Sequence, residues 1–196
     1  MLPPTPSQTV GPYYGTALPF PGGGDLVPPG HPEAVTLHGH VYDGEGAPVP
    51  DALLEFWQAA PDGSLVGAPG SLRRDGRAFT GFARVPTCRD GHYRLHTLLP
   101  GGAPYLALCV LARGLDHHLF TRVYVTEPPG DALLSALPPD RRATLRARPE
   151  PGQRNTYRFD VKLQGEDETV FLDYGADRDP YRYRYGNGNG NGNDEG

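Results

Sequence analysis

Lysine is nearly absent from this chain. Of 18 basic residues in 196, only Lys162 is a lysine, and 23 acidic residues leave a formal net charge of −5. No basic stripe of the kind that follows a phosphate backbone is present, which argues against a nucleic-acid binder. Cysteine is equally scarce. Cys88 and Cys109 are the only two, too few for a disulfide framework and not at zinc-ligand spacing, so both are expected to be free thiols. No apolar run approaches the length of a membrane span. The first residues, MLPPTPSQTVGPYY, have neither a charged n-region nor an apolar h-region, so no secretion leader and a cytoplasmic location are expected. The motifs GxGxxG, GxxxxGK[ST], GxSxG and HExxH do not occur. The run PGGGD from residue 21 does not sit between a strand and a helix, so it is not read as a phosphate cradle.

Glycine and proline are abundant, with 27 and 23 residues. That proportion suits either disorder or a fold with many turns. Long runs rich in Val, Leu, Phe and Tyr favour the fold. Residues 1–33 lack a period and read as an N-terminal arm, with Tyr13, Tyr14 and Phe20 sticky enough to pack on something. Val35–Tyr42 alternates apolar and polar, the signature of a half-buried strand. Further strands are expected at Ala52–Trp57, Phe79–Val85, His92–Leu99, Pro104–Ala112, Leu119–Val125, Tyr157–Leu163 and Thr169–Asp173. Residues 131–148 are the one helical candidate, which Pro138-Pro139 would split into two short pieces. About eight short strands with turn signals between them predict an all-β, antiparallel β-sandwich over residues 34–174. Residues 175–196, with YRYRY and an Asn-Gly repeat, read as a disordered tail.

Three groups of side chains invite chemical readings. His38 and His40 are two apart in a strand, so both imidazoles face one side and could share a metal; alternatively they simply face solvent, since no third ligand is evident. His117 and His118 are adjacent and diverge, which suits a loop or interface. Glu166, Asp167 and Glu168 read as solvated charges of a tight turn.

Several segments carry a resemblance. TPSQTVGPYY (5–14), GHVYDGEGAPVPDALLEFWQA (39–59), YRLHTLLPG (93–101), VLARGLDHHLFTRVYV (110–125) and YRFDVKLQGEDETVFLDY (157–174) resemble the intradiol ring-cleavage dioxygenases. The likeness is strongest to the α type of the two-chain enzymes that cleave protocatechuate. In that family two Tyr and two His bind a non-haem Fe³⁺. The positions equivalent to those ligands here are Leu65, Ala103, Tyr105 and Ala107, so the resemblance implies no metal site in this chain and no catalytic residue of its own. The segment between residues 101 and 104 also looks shortened. The resemblance further implies that a β-type subunit holds the Fe³⁺, within an (αβ)n hetero-oligomer, and that the arm over residues 1–33 packs on that partner chain. This chain would then line part of the pocket for the aromatic acid and O₂ through Thr9, Gly11, Pro12, Tyr13 and Arg113. An arginine suits a carboxylate substrate, and a tyrosine ring suits its flat face. The contrasting reading is a non-catalytic β-sandwich that binds aromatics or a protein.

Overall fold

The computed structural model describes Gly11, residues 13–65, Leu72 and residues 74–174. Everything below lies in the unit Ser7–Leu172; Asp173 and Tyr174 belong to a separate one. Nine strands are named in chain order: β1 Val35–Tyr42, β2 Leu53–Trp57, β3 Phe82–Pro86, β4 His92–Thr97, β5 Leu106–Leu111, β6 Leu119–Val123, β7 Arg148–Pro149, β8 Thr156–Arg158 and β9 Val161–Lys162. Three short helices accompany them: α1 Tyr14–Ala17, α2 Ala132–Ala136 and α3 Pro139–Ala143.

The strands form two sheets, ordered β4-β1-β8-β7, with β9 also on β1, and β3-β2-β5-β6. Alternation in β1 buries Val35, Leu37, Gly39 and Val41 and turns Thr36, His38, His40 and Tyr42 outward. Leu37, Val41, Tyr93, Leu95 and Phe159 of one sheet meet Leu54, Phe56, Leu106, Leu108 and Val110 of the other in a single core. This is the expected sandwich. One difference is that the first sheet is mixed: β8 and β9 run parallel to β1, while the second sheet is wholly antiparallel. A period-2 pattern is the same in either orientation, so the alternation carried no information on this point.

The expected strand Tyr157–Leu163 is a single track along β1, broken in the middle. Thr36 lies opposite Thr156 and Val41 opposite Val161, so the register does not slip across the break. At the break, Phe159 and Asp160 press against Gly39. A Cβ built on Gly39 would lie 1.8 Å from the Phe159 carbonyl oxygen. That carbonyl accepts a 2.6 Å hydrogen bond from the buried Tyr93 hydroxyl, and the Phe159 amide donates to the His38 carbonyl. Asp160 then accepts from the His40 amide.

Both sandwich edges are covered. Residues 22–27, part of the expected arm, are built into the sandwich of their own chain. The Arg84 amide of β3 donates to Gly23, and the His96 amide of β4 donates to Gly24, so this segment joins the outer strands of the two sheets. Leu26 and Val27 are buried there. Covering both edges removes the unpaired backbone that invites aggregation. On the other side, Leu145 and Ala147 bond Tyr124, and Leu172 bonds Phe120. Of the expected strand Thr169–Asp173, the part up to Leu172 therefore runs beside β6 without forming a regular strand. The split helix is as expected: α2 is capped by the Asp131 carboxylate, and α3 starts on Pro139 after Pro138. The tail reading for 175–196 lies outside the described residues.

Substituting Gly39 by Ala drives a methyl into a backbone carbonyl that cannot retreat without breaking the Tyr93 bond. Gly39→Ala is expected to destabilise the fold by about 3 kcal/mol or more, read as a lowered urea midpoint. A stability within about 0.5 kcal/mol of the parent would show that the break between β8 and β9 is not the tight spot described.

Candidate functional site

The N-terminal segment and Arg113 meet at one end of the sandwich. Tyr14 is buried and its hydroxyl donates to the Leu111 carbonyl; burial raises its phenol to about 12. Tyr14 thereby holds α1 against Asp51, whose carbonyl oxygen lies 3.2 Å from a Cβ built on Gly15. Asp51 in turn faces Arg113, with Nη2 and Oδ2 3.5 Å apart. Both of these side chains are about half exposed, so the pair contributes at most about 1 kcal/mol and leaves the guanidinium accessible. Tyr13 points outward at 78% exposure. Gly11 has φ +76°, with nothing within 4 Å of where a Cβ would stand. Thr9 and Pro12 lie outside the described residues. Tyr14, which the sequence reading did not single out for the site, anchors this corner; its neighbour Tyr13 gives an identical pattern signal.

The positions expected from the resemblance to correspond to metal ligands are arranged as follows. Leu65 is 64% exposed, and Ala103 is exposed on the turn before β5. The turns carrying them touch. The Gly101 amide donates to Ala60, and a Cβ on Gly101 would lie 1.9 Å from the Pro61 carbonyl oxygen. Backbone fills the space between residues 60–63 and 101–102, in keeping with the shortened connection there. Ala107 lies in β5 between Trp57 of β2 and Arg122 of β6. The Arg122 guanidinium sits 4.1 Å from the centre of the Tyr105 ring, a cation–π contact worth about 0.5–2 kcal/mol. Arg122 also donates to the Tyr124 hydroxyl, which lies 3.2 Å from each oxygen of Asp131. Burial, the largest influence, raises the Tyr124 phenol above its ordinary value. Of the four equivalent positions only Tyr105 offers a donor atom, and a fixed positive charge lies on its ring. These residues do not fit a ferric ion.

The outer face of the first sheet carries a grouping invisible in linear sequence. His92 of β4 stands opposite His40 of β1, and its ring lies 5.1 Å from that of His40 and 5.7 Å from that of His38. His38 Nε2 and His40 Nδ1 are buried without a hydrogen-bond partner, and Glu150 and Asp160 lie 3.8 and 3.7 Å away. Among the described residues no three His, Cys, Asp or Glu side chains are placed to hold a metal ion, which leaves the metal reading of His38 and His40 without support. Of the other candidates, His118 packs edge-on against Phe120, while Asp167 faces Lys162 from an exposed turn. Cys88 and Cys109 are both free, as expected. Burial and then Glu55 push the Cys109 thiol up to about 12. Among the described residues, no helix is long and apolar enough to cross a membrane.

Residues 11–116 match the family model described as "Dioxygenase". The chain is 42% identical to the protocatechuate 3,4-dioxygenase α chain of Burkholderia cepacia, over 86% of this chain and 96% of that one. It is 30% identical to the β chain of the same species' enzyme, over 70% of this chain and 67% of the other. Among solved structures, the dioxygenase domain of a dioxygenase–carbohydrate-binding fusion from Streptomyces sp. SirexAA-E superposes with a TM-score of 0.53 at 26% identity, over 83% of this chain and 99% of that one. The chain belongs to the intradiol ring-cleavage dioxygenase family. Within that family its likeness is to the protocatechuate 3,4-dioxygenase α chains.

The crowded imidazoles predict an acid-sensitive fold. Burial, then His40 and His38, hold the His92 imidazole below its ordinary 6.5, and burial then Arg94 do the same for His96. The unfolded chain therefore takes up these protons at higher pH than the folded one. The stabilisation is full above pH 6.5 and falls as pH drops through that value and below. Urea midpoints measured from about pH 7.5 to about pH 5 should decline, and His92→Gln should flatten the slope. An unchanged slope would show that His92 is not the titrating group.

Proposed function

We propose that this chain is the non-metal-binding α subunit of a protocatechuate 3,4-dioxygenase-type enzyme. A homologous β subunit holds the non-haem Fe³⁺, and the two chains repeat as an (αβ)n hetero-oligomer in the cytoplasm. One observation carries the reading. In a chain that aligns with α chains over almost its whole length, the ligand-equivalent positions are Leu65, Ala103, Tyr105 and Ala107, and the Arg122 guanidinium covers the single phenol among them. The reaction is cleavage of protocatechuate by O₂ between its two hydroxyl-bearing carbons. Both oxygen atoms end in the product, β-carboxy-cis,cis-muconate, so no external reductant is needed.

This chain supplies no catalytic group and acts by position and charge. Thr9, Gly11, Pro12 and Tyr13 form a wall of the shared pocket, and the exposed Tyr13 ring has the flat, amphipathic surface that suits an aromatic acid. Arg113, held only by a weak pair with Asp51, attracts the substrate carboxylate to the pocket. Tyr14 fixes the arm from behind by its bond to Leu111.

Expressed alone, the chain should be colourless, iron-free and inactive on protocatechuate. Coexpressed with its β chain it should yield an iron-containing enzyme with tyrosinate-to-iron absorption. An isolated chain that bound iron and cleaved protocatechuate would overturn the proposal. Within the complex, Arg113→Ala should raise KM for protocatechuate about 3–10-fold with little change in kcat, and the effect should shrink at high salt. An unchanged KM would assign Arg113 to the Asp51 pair alone.

A further inference from the structure

The outer face of the first sheet concentrates positive charge on a chain that is acidic as a whole. Neighbouring strands bring Arg94, His38, Arg158 and Arg148 into one row across β4, β1, β8 and β7. At the β7 end of that row, Arg148 lies directly opposite Arg158. Like charges in direct cross-strand register repel and cost stability unless something neutralises them. Arg158 has its own carboxylate, Asp160, 2.9 Å from Nε. The Arg148 side chain has no ion-pair or hydrogen-bond partner among the described residues.

These two arginines open onto a cavity of about 380 Å³, bounded also by Arg146 and Lys162. Its volume is within the range of small-molecule sites. Arg146 is drawn away to Glu127 at 3.1 Å, and Lys162 is loosely held by the exposed Asp167 at 3.8 Å. Asp140 lines the same cavity without an ion pair among the described residues; with Arg146 taken by Glu127, three cations share the cavity with three carboxylates, of which Asp160 and Asp167 are already committed to Arg158 and Lys162. An anion that engages Arg148 and replaces Asp167 on Lys162 would neutralise the opposed pair. Arg148, Arg158 and Lys162 can each take one anionic group, so a ligand with two or more such groups gains more contacts here than a monoanion, against the repulsion of Asp140.

We propose that this cavity is a binding site for a small polyanion bearing carboxylate or phosphate groups, with Arg148 and Arg158 as its principal contacts. The site is independent of the dioxygenase reading. Its lining comes from β7, β8 and β9 together with α3 and the turn after β9, and none of its residues belongs to the arm or to the positions expected to correspond to metal ligands.

The test is calorimetric titration of the full chain with citrate and, separately, with inorganic pyrophosphate. Saturable one-to-one binding of at least one is expected, and the tighter of the two identifies the source chemistry. Arg148→Ala should weaken that binding about tenfold or more, Arg148→Lys should keep part of it, and Arg77→Ala, on a distant turn, should leave it unchanged. Without ligand, Arg148→Ala should unfold at the same temperature as the parent or higher, because a repulsive pair has been removed. The proposal is overturned if neither probe binds saturably, if Arg148→Ala binds as well as the parent, or if Arg77→Ala loses as much. It is likewise overturned if only an acidic peptide binds, which would make the face a protein contact instead.

Discussion

The contact between Gly39 and the Phe159 carbonyl sets the geometry of the first sheet. Among the described residues, β1 is the only strand that pairs with three others, β4, β8 and β9. The chain can run along β1 from Thr156 to Lys162 without losing register only because no side chain stands at Gly39. Tyr93 locks the arrangement. Its hydroxyl is fully buried and would cost about 1–3 kcal/mol if left unbonded, and the Phe159 carbonyl is the acceptor it has. The same two residues order the outer face. Asp160, fixed by the His40 amide, stands between the imidazole cluster and Arg158. The core, the acid-sensitive face and the basic cavity thus depend on one close backbone approach.

At the other end of the chain's chemistry, charge decides. A ferric ion needs several anionic or neutral donors converging on one point. Of the four positions expected to correspond to ligands, one offers a phenol, and a guanidinium lies over its ring. Asp131 and Tyr124 hold that guanidinium in place, and Asp131 also caps α2, so the cation is part of the structure rather than a passing rotamer. Glycine backbones fill the neighbouring turns, Gly101 against Pro61 and Gly102 against Gly63. That poor fit to a ferric ion is why the proposed function places the metal on a second chain.

Strand positions were largely legible because alternation and turn residues act locally, and β1, β2 and the split at Pro138-Pro139 follow from such signals. Strand ends shifted by a few residues where the ladder, not the pattern, sets the limit, as at Phe82 rather than Phe79. The glycine run at 22–24 joins β3 to β4, a use that depends on two edges distant in sequence. His38 and His40 were visible as a same-face pair. His92 was not, since only the β1–β4 register brings it beside them.

The linear sequence determined most of the strand content, the alternation of β1 and the family, because each resides in residue identity or near-neighbour spacing. Tertiary structure alone decided the parallel course of β8 and β9 along β1, the arginine lying over Tyr105, the choice of Tyr14 rather than Tyr13 as anchor, and the opposition of Arg148 to Arg158. These depend on which strand lies beside which, and a pattern with a period of two residues is blind to its neighbours.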